Sequence, residues 1–369
     1  VSEEQAVNIC SPSWDWYDGY GQMACQLAWF LNKNHHLRVN ALTTSDQGPV
    51  FDNQPKVLQD LLAQPIRAAV GGIMLGYPTL HDCYGGMVCA GPRVAVTMFE
   101  SDRVPESWGD PLNACEAISV PSRFLVDVLH QSGVRKPVTV HPLGINTTYA
   151  PQTRMPGRKP FTFLCLGDRW RRKGWDVAAI AFNAAFGQDP AYKLIIKARE
   201  GGMNFEIEHP HIEIIRQDMT DQDLLALLGQ VDAYVFPTRG EGFGLPPREA
   251  AATGLPVIVT DWGGTADDLT RWAYPLRYKL IPAWGDHEDL RGTGQWAEPD
   301  VEHLVEQMRY VASGNPYVAG MAQHSARRVR KLYSWKVWAD GVYGLWKKAT
   351  EMPVTGRRKA WKEKQRAHQ

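Results

Sequence analysis

The stretch from Asp232 to Thr253 limits the possible folds of this chain more than any other. Asp232-Ala-Tyr-Val-Phe-Pro237 is a short apolar run, Thr238-Arg-Gly-Glu-Gly-Phe-Gly244 is a glycine loop, and Leu245-Pro-Pro-Arg-Glu-Ala-Ala-Ala-Thr253 is a helical run opening on two prolines. An apolar run bounded by turn residues reads as a buried strand, and proline costs nothing in a first helical turn, where the N–H has no helical partner. Strand, glycine loop and helix together aim unpaired N–H groups and a positive helix end at one point, which suits an anion. Glu241 in the loop and Glu249 in the first helical turn add acceptors able to take hydrogen bonds from vicinal hydroxyls. A plainer reading stands beside this: Glu249 complements the helix dipole and Glu241 is a solvated loop acid.

The next residues, Gly254-Leu-Pro-Val-Ile-Val-Thr-Asp261, supply a Val/Ile strand that ends at the pair Gly263-Gly264. In open α/β sheets ligands bind at such strand ends. The same alternation runs through the chain. Strands are expected at Ala6–Ser11, Leu37–Leu42, Ala68–Leu75, Arg93–Phe99, Ala117–Val120 and Val138–His141, with helices at Gln22–Leu31, Pro55–Leu62 and Ser122–Ser132. Asn146–Lys159, which holds Pro151, Pro156 and Gly157, is the best boundary. Beyond it come strands at Phe161–Leu166, Lys193–Lys197, Ile212–Arg216 and Asp232–Pro237, helices at Asp176–Phe186 and Asp221–Leu228, and a chain that turns helical from Val301 onward and ends in Met321–Lys348. Such alternation points to an α/β fold with mainly parallel, helix-covered sheets.

Glu-x7-Glu within Glu-Gly-Phe-Gly-Leu, followed by Gly-Leu-Pro-Val and Gly-Gly, resembles the GT-B retaining glycosyltransferases of family 4. The resemblance implies two Rossmann-like domains with parallel sheets facing across a cleft and a C-terminal helix crossing back to the first. The corresponding division is an acceptor-side domain over 1–150, a nucleotide-sugar-binding domain over 151–333, and a crossover helix with a basic tail over 334–369, with Ser334-Trp335 resembling the family's Ser-Trp. Gly167-Asp-Arg169-Trp-Arg-Arg172-Lys173-Gly174 resembles the segment whose Arg and Lys bind the donor diphosphate. Lys173 fits directly, whereas Asp168 after the glycine leaves either Arg169 or Arg172 for the arginine.

By the same resemblance Glu249 holds the donor ribose, Glu241 the hydroxyls of the transferred sugar, and the loop Gly242, Phe243, Gly244 and Leu245 faces sugar and diphosphate. Arg216 and Gln217 lie where the base pocket is lined. Gly19 and Gly21 either approach the phosphate from across the cleft or only make a tight turn, and His141–Asn146 leads into the linker. Many relatives carry a His after the strand that here ends near Phe99; this chain has Glu100 and Asp102, which could bind an acceptor hydroxyl, act as a base, or be ordinary loop acids.

Composition narrows the setting. Forty basic residues balance forty acidic ones, which gives no global attraction to a polyanion. Six cysteines lack Cys-x-x-Cys spacing, so neither a zinc site nor a disulfide framework is expected, and the reducing cytosol is the simpler home. No basic-then-apolar leader or membrane span is visible. Asp221-Gln-Asp223 precedes a helix and reads as a cap, and no metal site is expected. The run from Arg357 to Arg366 could touch a membrane surface or nucleic acid, or be a solvated tail.

The expected reaction is metal-independent transfer of a hexose from a UDP- or GDP-sugar, with no further cofactor. The acceptor is open among glycans, lipid-linked molecules, small molecules and nucleic acid. Two alternatives stay beside it: a sugar-nucleotide epimerase or hydrolase of the same architecture, and a catalytically silent sugar-nucleotide-binding subunit.

Overall fold

The computed structural model describes residues 5–43, 51, 53–78, 91–154, 157, 159–167, 171–201, 206–284 and 291–351. The first half contains β1 (Ala6–Ser11), α1 (Gly19–His35), β2 (Arg38–Thr43), α2 (Lys56–Leu62), β3 (Gly72–Leu75), β4 (Arg93–Val96), α3 (Gly109–Asn113), β5 (Ala117–Val120), α4 (Arg123–Gln131) and β6 (Val138–Val140). Its strands form one sheet of order β2-β1-β3-β4-β5-β6, and every pair is parallel. β3 and β5 are buried throughout, as continuous apolar strands covered on both faces must be.

The second half repeats the plan with β7 (Phe161–Leu166), α5 (Trp175–Phe186), β8 (Tyr192–Ala198), β9 (Ile212–Arg216), α6 (Asp221–Gly229), β10 (Ala233–Phe236), α7 (Leu245–Ala252), β11 (Val257–Thr260) and β12 (Tyr274–Leu276). The order β12-β11-β10-β7-β8-β9 is again parallel throughout. Strand order reverses between β1 and β3 in one sheet and between β7 and β10 in the other, and the crevice above such a reversal is where ligands bind.

Two features depart from the sequence reading. An antiparallel hairpin, β13 (Tyr278–Trp284) and β14 (Arg291–Pro299), belongs to neither sheet. The helical end is α8 (Val301–Ala312), α9 (Pro316–Leu332) and α10 (Trp335–Glu351), so the single helix expected over Met321–Lys348 is broken. The break has a packing cause. Tyr333 leaves the helix in an extended conformation (φ −107°, ψ 99°) and sets its ring against Phe243, and Gly144 abuts the backbone of Trp335 so closely that no side chain fits there. From there α10 packs on α1 and on β4 and β5, burying Trp335, Trp338 and Trp346 and carrying the chain back to the first half. The core that results is continuous from Val7 and Leu27 through Leu143 and Tyr149 to Phe236 and Ala250.

Candidate active site

The two loops at the reversal point of the second sheet are pressed together. Arg171–Lys173 form one helical turn after β7, and Gly174, at φ +73°, lies against the carbonyl of Pro237 at the end of β10 with no room for a Cβ. Arg239 N–H donates to Arg172 O at 2.7 Å and Thr238 Oγ1 to the same oxygen at 3.1 Å. This seating delivers Lys173 Nζ to 2.7 Å from Glu241 Oε1, and Arg172 Nη1 to 3.0 Å from the same oxygen and 2.6 Å from Gly240 O. Glu241 is 7% exposed. Burial by itself raises its pKa, but the charges of Lys173 and Arg172 and their hydrogen bonds prevail and hold the carboxyl below its ordinary value.

Across the cleft, Arg172 Nη2 stands 3.9 Å from Glu100 Oε1. Tyr77 Oη lies 2.7 Å from each Glu100 oxygen, and burial followed by the Glu100 charge keeps the phenol neutral and donating. Arg172 thus stands between two carboxylates, one from each half, with Lys173 on the Glu241 side. The halves meet closely here: Gly240 lies on the carbonyl of Glu100, a Cβ on Gly242 would come within 2.7 Å of Met98 Cβ, and Ser122 Oγ donates to Gly242 O at 2.9 Å.

The glycine loop is fixed from below. Arg248, fully buried, donates to Phe243 O, to Gly244 O at 3.1 Å and to Gly264 O at 3.0 Å, and stacks on Phe243, Tyr333 and Trp272 with its guanidinium carbon 3.9, 4.9 and 5.0 Å from the ring centres. The loop carbonyls are thereby committed inward. Gly244 takes φ +83° as the chain enters α7, which only glycine does cheaply. Glu249 follows in the next turn, 8% exposed, and its carboxylate has no hydrogen-bond or ion-pair partner among the described residues. Burial, with a smaller contribution from Asp221, raises its pKa to about 8.

The family described as Glycosyl transferases group 1 matches residues 160–275, the span that contains Lys173, Glu241, Glu249 and Gly263-Gly264. Sucrose-phosphate synthase from Thermosynechococcus elongatus has a similar structure, with a TM-score of 0.67 at 12% identity over 94% of this chain and 99% of that one. This chain has the GT-B fold, and its residues 160–275 match the group 1 glycosyltransferase family. Anabaena HepE in complex with UDP-glucose shares the GT-B fold, with a TM-score of 0.65 at 12% identity over 92% of this chain and 99% of that one. Mannosylfructose-phosphate synthase of Agrobacterium fabrum is 25% identical over 268 residues, 65% of this chain and 55% of that protein. The chain spans about half the length of that relative, and 13% of a mannosyltransferase of Escherichia coli that it matches.

Within the glycosyltransferase domain the structure gathers Arg172, Lys173 and Glu241, with Glu100 opposite, and places Gly242, Phe243, Gly244, Leu245 and Glu249 on the adjoining loop and helix. Arg169 lies outside the described residues, as do Cys83, Cys89 and the basic run 357–366. Cys10, Cys25, Cys115 and Cys165 are buried. Arg216 sits at the C-terminal end of edge strand β9, 3.1 Å from Glu206. Gly19 and Gly21 lie in the first turn of α1, where Gly21 donates its N–H to the capping Asp18 carboxylate at 3.1 Å and abuts the Asp15 backbone; Gly19 has open space beside it.

Asp102, considered for acceptor binding, is instead engaged with the hairpin: its Oδ1 accepts from Gln295 N–H at 2.6 Å. The Asp221-Gln-Asp223 segment does cap α6, through a reciprocal box between Thr220 and Asp223. Asp221 itself does something the cap reading did not contain, accepting from Trp16 Nε1 at 3.0 Å and Asn146 Nδ2 at 3.1 Å and so joining the two halves beside the linker. Arg239 and Arg248 were missed as site-building residues. An arginine inside an otherwise small and apolar helix start was the available signal for Arg248; nothing local marked Arg239.

Proposed function

We propose that this chain transfers a hexose from a UDP- or GDP-sugar to an acceptor hydroxyl, with retention of anomeric configuration and without a metal ion. The observation that carries the reading is the joint approach of Lys173 and Arg172 to Glu241 at the mouth of the glycine loop. Breaking the bond between sugar and diphosphate builds negative charge on the departing phosphate oxygen, and fixed cations beside a helix N-terminus lower that barrier. Lys173 and Arg172 supply that charge, which is the role a metal ion would otherwise have. Glu249, unpartnered and next to the loop, takes the ribose hydroxyls; Glu241, anchored by the cations, takes hydroxyls of the transferred sugar. Glu100, oriented by Tyr77, is the carboxylate on the acceptor side and stands as the base or the acceptor-binding group.

The UDP-glucose held by Anabaena HepE on the same fold and the hexose chemistry named in mannosylfructose-phosphate synthase support a nucleotide-sugar donor. The acceptor is a hydroxyl of a glycan, a lipid-linked molecule or a small molecule; nucleic acid and peripheral membrane contact through the basic tail are the weaker options. No helix among the described residues is long and apolar enough to cross a membrane. We place the reaction in the cytosol, where the buried thiols stay reduced.

A panel of UDP, GDP and their hexose conjugates tests this by thermal shift and calorimetry. One nucleotide series should raise the unfolding midpoint and bind at micromolar concentrations. A parent chain stabilised by none of them would overturn the proposal.

A further inference from the structure

The hairpin β13–β14 stands outside both sheets yet holds both sides of the cleft. On the first-half side Gln295 N–H donates to Asp102 Oδ1 at 2.6 Å, and Ser101 Oγ donates to Thr293 O at 2.7 Å. Gly294, at φ +77°, lies so near this loop that a Cβ would come within 2.8 Å of Arg103 N and of Ser101 Oγ. Ser101 and Asp102 directly follow Glu100. On the second-half side Ala297 N–H donates to Arg239 O at 2.9 Å, and Glu298 accepts from Arg239 Nε at 2.6 Å and Nη2 at 2.9 Å.

Arg239 is 3% exposed and every one of its side-chain N–H donors is used. Besides Glu298 it serves Asp176 through Nη1 at 2.9 Å and Nη2 at 3.1 Å, and it donates to Arg171 O. Asp176 opens α5 just after Lys173, and also accepts from Arg171 Nε at 3.0 Å. One guanidinium therefore ties together the Arg171–Lys173 turn, the start of α5, the glycine loop and the hairpin. Its planar fork of five donors makes two hydrogen bonds to each of two carboxylates at once, which the three donors of an ammonium cannot do. Against apolar packing, such buried networks add little net stability; what they do is select one arrangement.

We propose that Arg239 is a positioning residue for the Arg172–Lys173–Glu241 cluster, and that the hairpin it holds through Glu298 sets the spacing between that cluster and Glu100. The hairpin is a spacer spanning the cleft: β14 holds the Glu100 loop at Thr293 and Gln295 and, at Ala297 and Glu298, holds Arg239, which in turn ties down the cation turn. The catalytic part of this statement rests on the transfer reaction proposed above. The coupling of the two loops through the hairpin does not.

The test uses the full chain with Asp102→Asn, Glu298→Gln and Arg239→Lys, and Lys279→Ala, exposed on β13, as the control. Backbone hydrogen exchange in the ligand-free protein is read first. Asp102→Asn, a first-half change, should speed exchange at 171–174 and 238–242, and Glu298→Gln should speed it at 97–103, each by about fivefold or more. Faster exchange confined to the side of the hairpin that carries the substitution would overturn the proposal. Arg239→Ala leaves Asp176 and Glu298 uncompensated and is open to misfolding, which is why the lysine variant is used.

Kinetics follow, well below every unfolding midpoint and with the sugar nucleotide that the panel selects. Asp102→Asn should lower kcat about tenfold with donor KM within about twofold, whereas Arg239→Lys should raise donor KM and lower kcat together. Unchanged constants in both variants would also overturn the proposal. A parent chain that binds no nucleotide removes the transfer reaction and leaves the exchange result to decide the coupling.

Discussion

Glu241 and Glu249 stand on one loop-and-helix unit with nearly equal exposure, 7% and 8%, yet the protein holds them in opposite states. Glu241 has Lys173 and Arg172 against it and stays ionised below the usual carboxylate range; Glu249 has no cation, and burial with Asp221 nearby raises it to about 8. The difference teaches that burial fixes only the cost of a carboxylate's charge, while the groups within a few ångströms decide whether the charge is kept. One glutamate is a permanent anion that seats two cations. The other, in the proposed reading, receives its hydrogen bonds from the donor ribose.

The largest effect expected from this contrast is on the cations. Lys173→Ala should reduce turnover by about 10²–10³-fold, the usual loss when a preorganised charge stabiliser is removed; steady-state rates within tenfold of the parent would break the link between Glu241 and catalysis. Glu100→Gln should depress turnover about a hundredfold while donor affinity stays within twofold, a split expected for acid–base work. Equal kinetics in variant and parent would take Glu100 out of the mechanism.

Glu249→Ala should weaken nucleoside diphosphate and sugar nucleotide alike by about 10–100-fold, the range for hydrogen bonds to a charged group. Calorimetry showing unchanged nucleoside diphosphate affinity would sink the ribose assignment. The raised pKa adds a sign. A ligand that favours the carboxylate form binds more tightly as the pH rises towards about 8, by up to about tenfold per unit, and levels off above it. In the free chain the protonated form of Glu249 gives a stability contribution that is complete below about 4.5 and is lost as the pH rises through about 8. Glu249→Gln should flatten both profiles; profiles that persist assign the titration elsewhere. The smallest effect is expected from chelation: EDTA should leave transfer within about twofold, because the proposed mechanism assigns the departing charge to Lys173 and Arg172. Abolition by EDTA with rescue by manganese would refute metal independence.

Legibility followed the range of the interactions. Phe161–Leu166 was readable to the residue because a parallel strand covered on both faces announces itself as an apolar run, and Ile212–Arg216, a half-buried edge strand, because isoleucines on both its faces favour an extended chain. Lys173 and the glutamate pair were readable because strand, loop and helix are adjacent in sequence. The hairpin was not, since β13 carries Pro282 and is mostly exposed, so neither an apolar run nor a clean alternation marks it. Arg239 looked like one more loop arginine, for its partners Asp176 and Glu298 lie far off in sequence. The break at Tyr333 was equally hidden, because the pocket that draws Tyr333 in is built by Phe243 and Arg248.

The sequence by itself determined the two-sheet α/β plan, the glycine loop and which glutamates and lysine stand at its rim, because periodicity and turn chemistry act over a few neighbouring residues. Only the tertiary structure decided that two equally buried glutamates carry different charge, that Asp102 serves the hairpin, and that Arg172 stands between Glu241 and Glu100. Those outcomes depend on distances between segments far apart in the chain, and electrostatics in a buried cleft changes sign with which partner arrives.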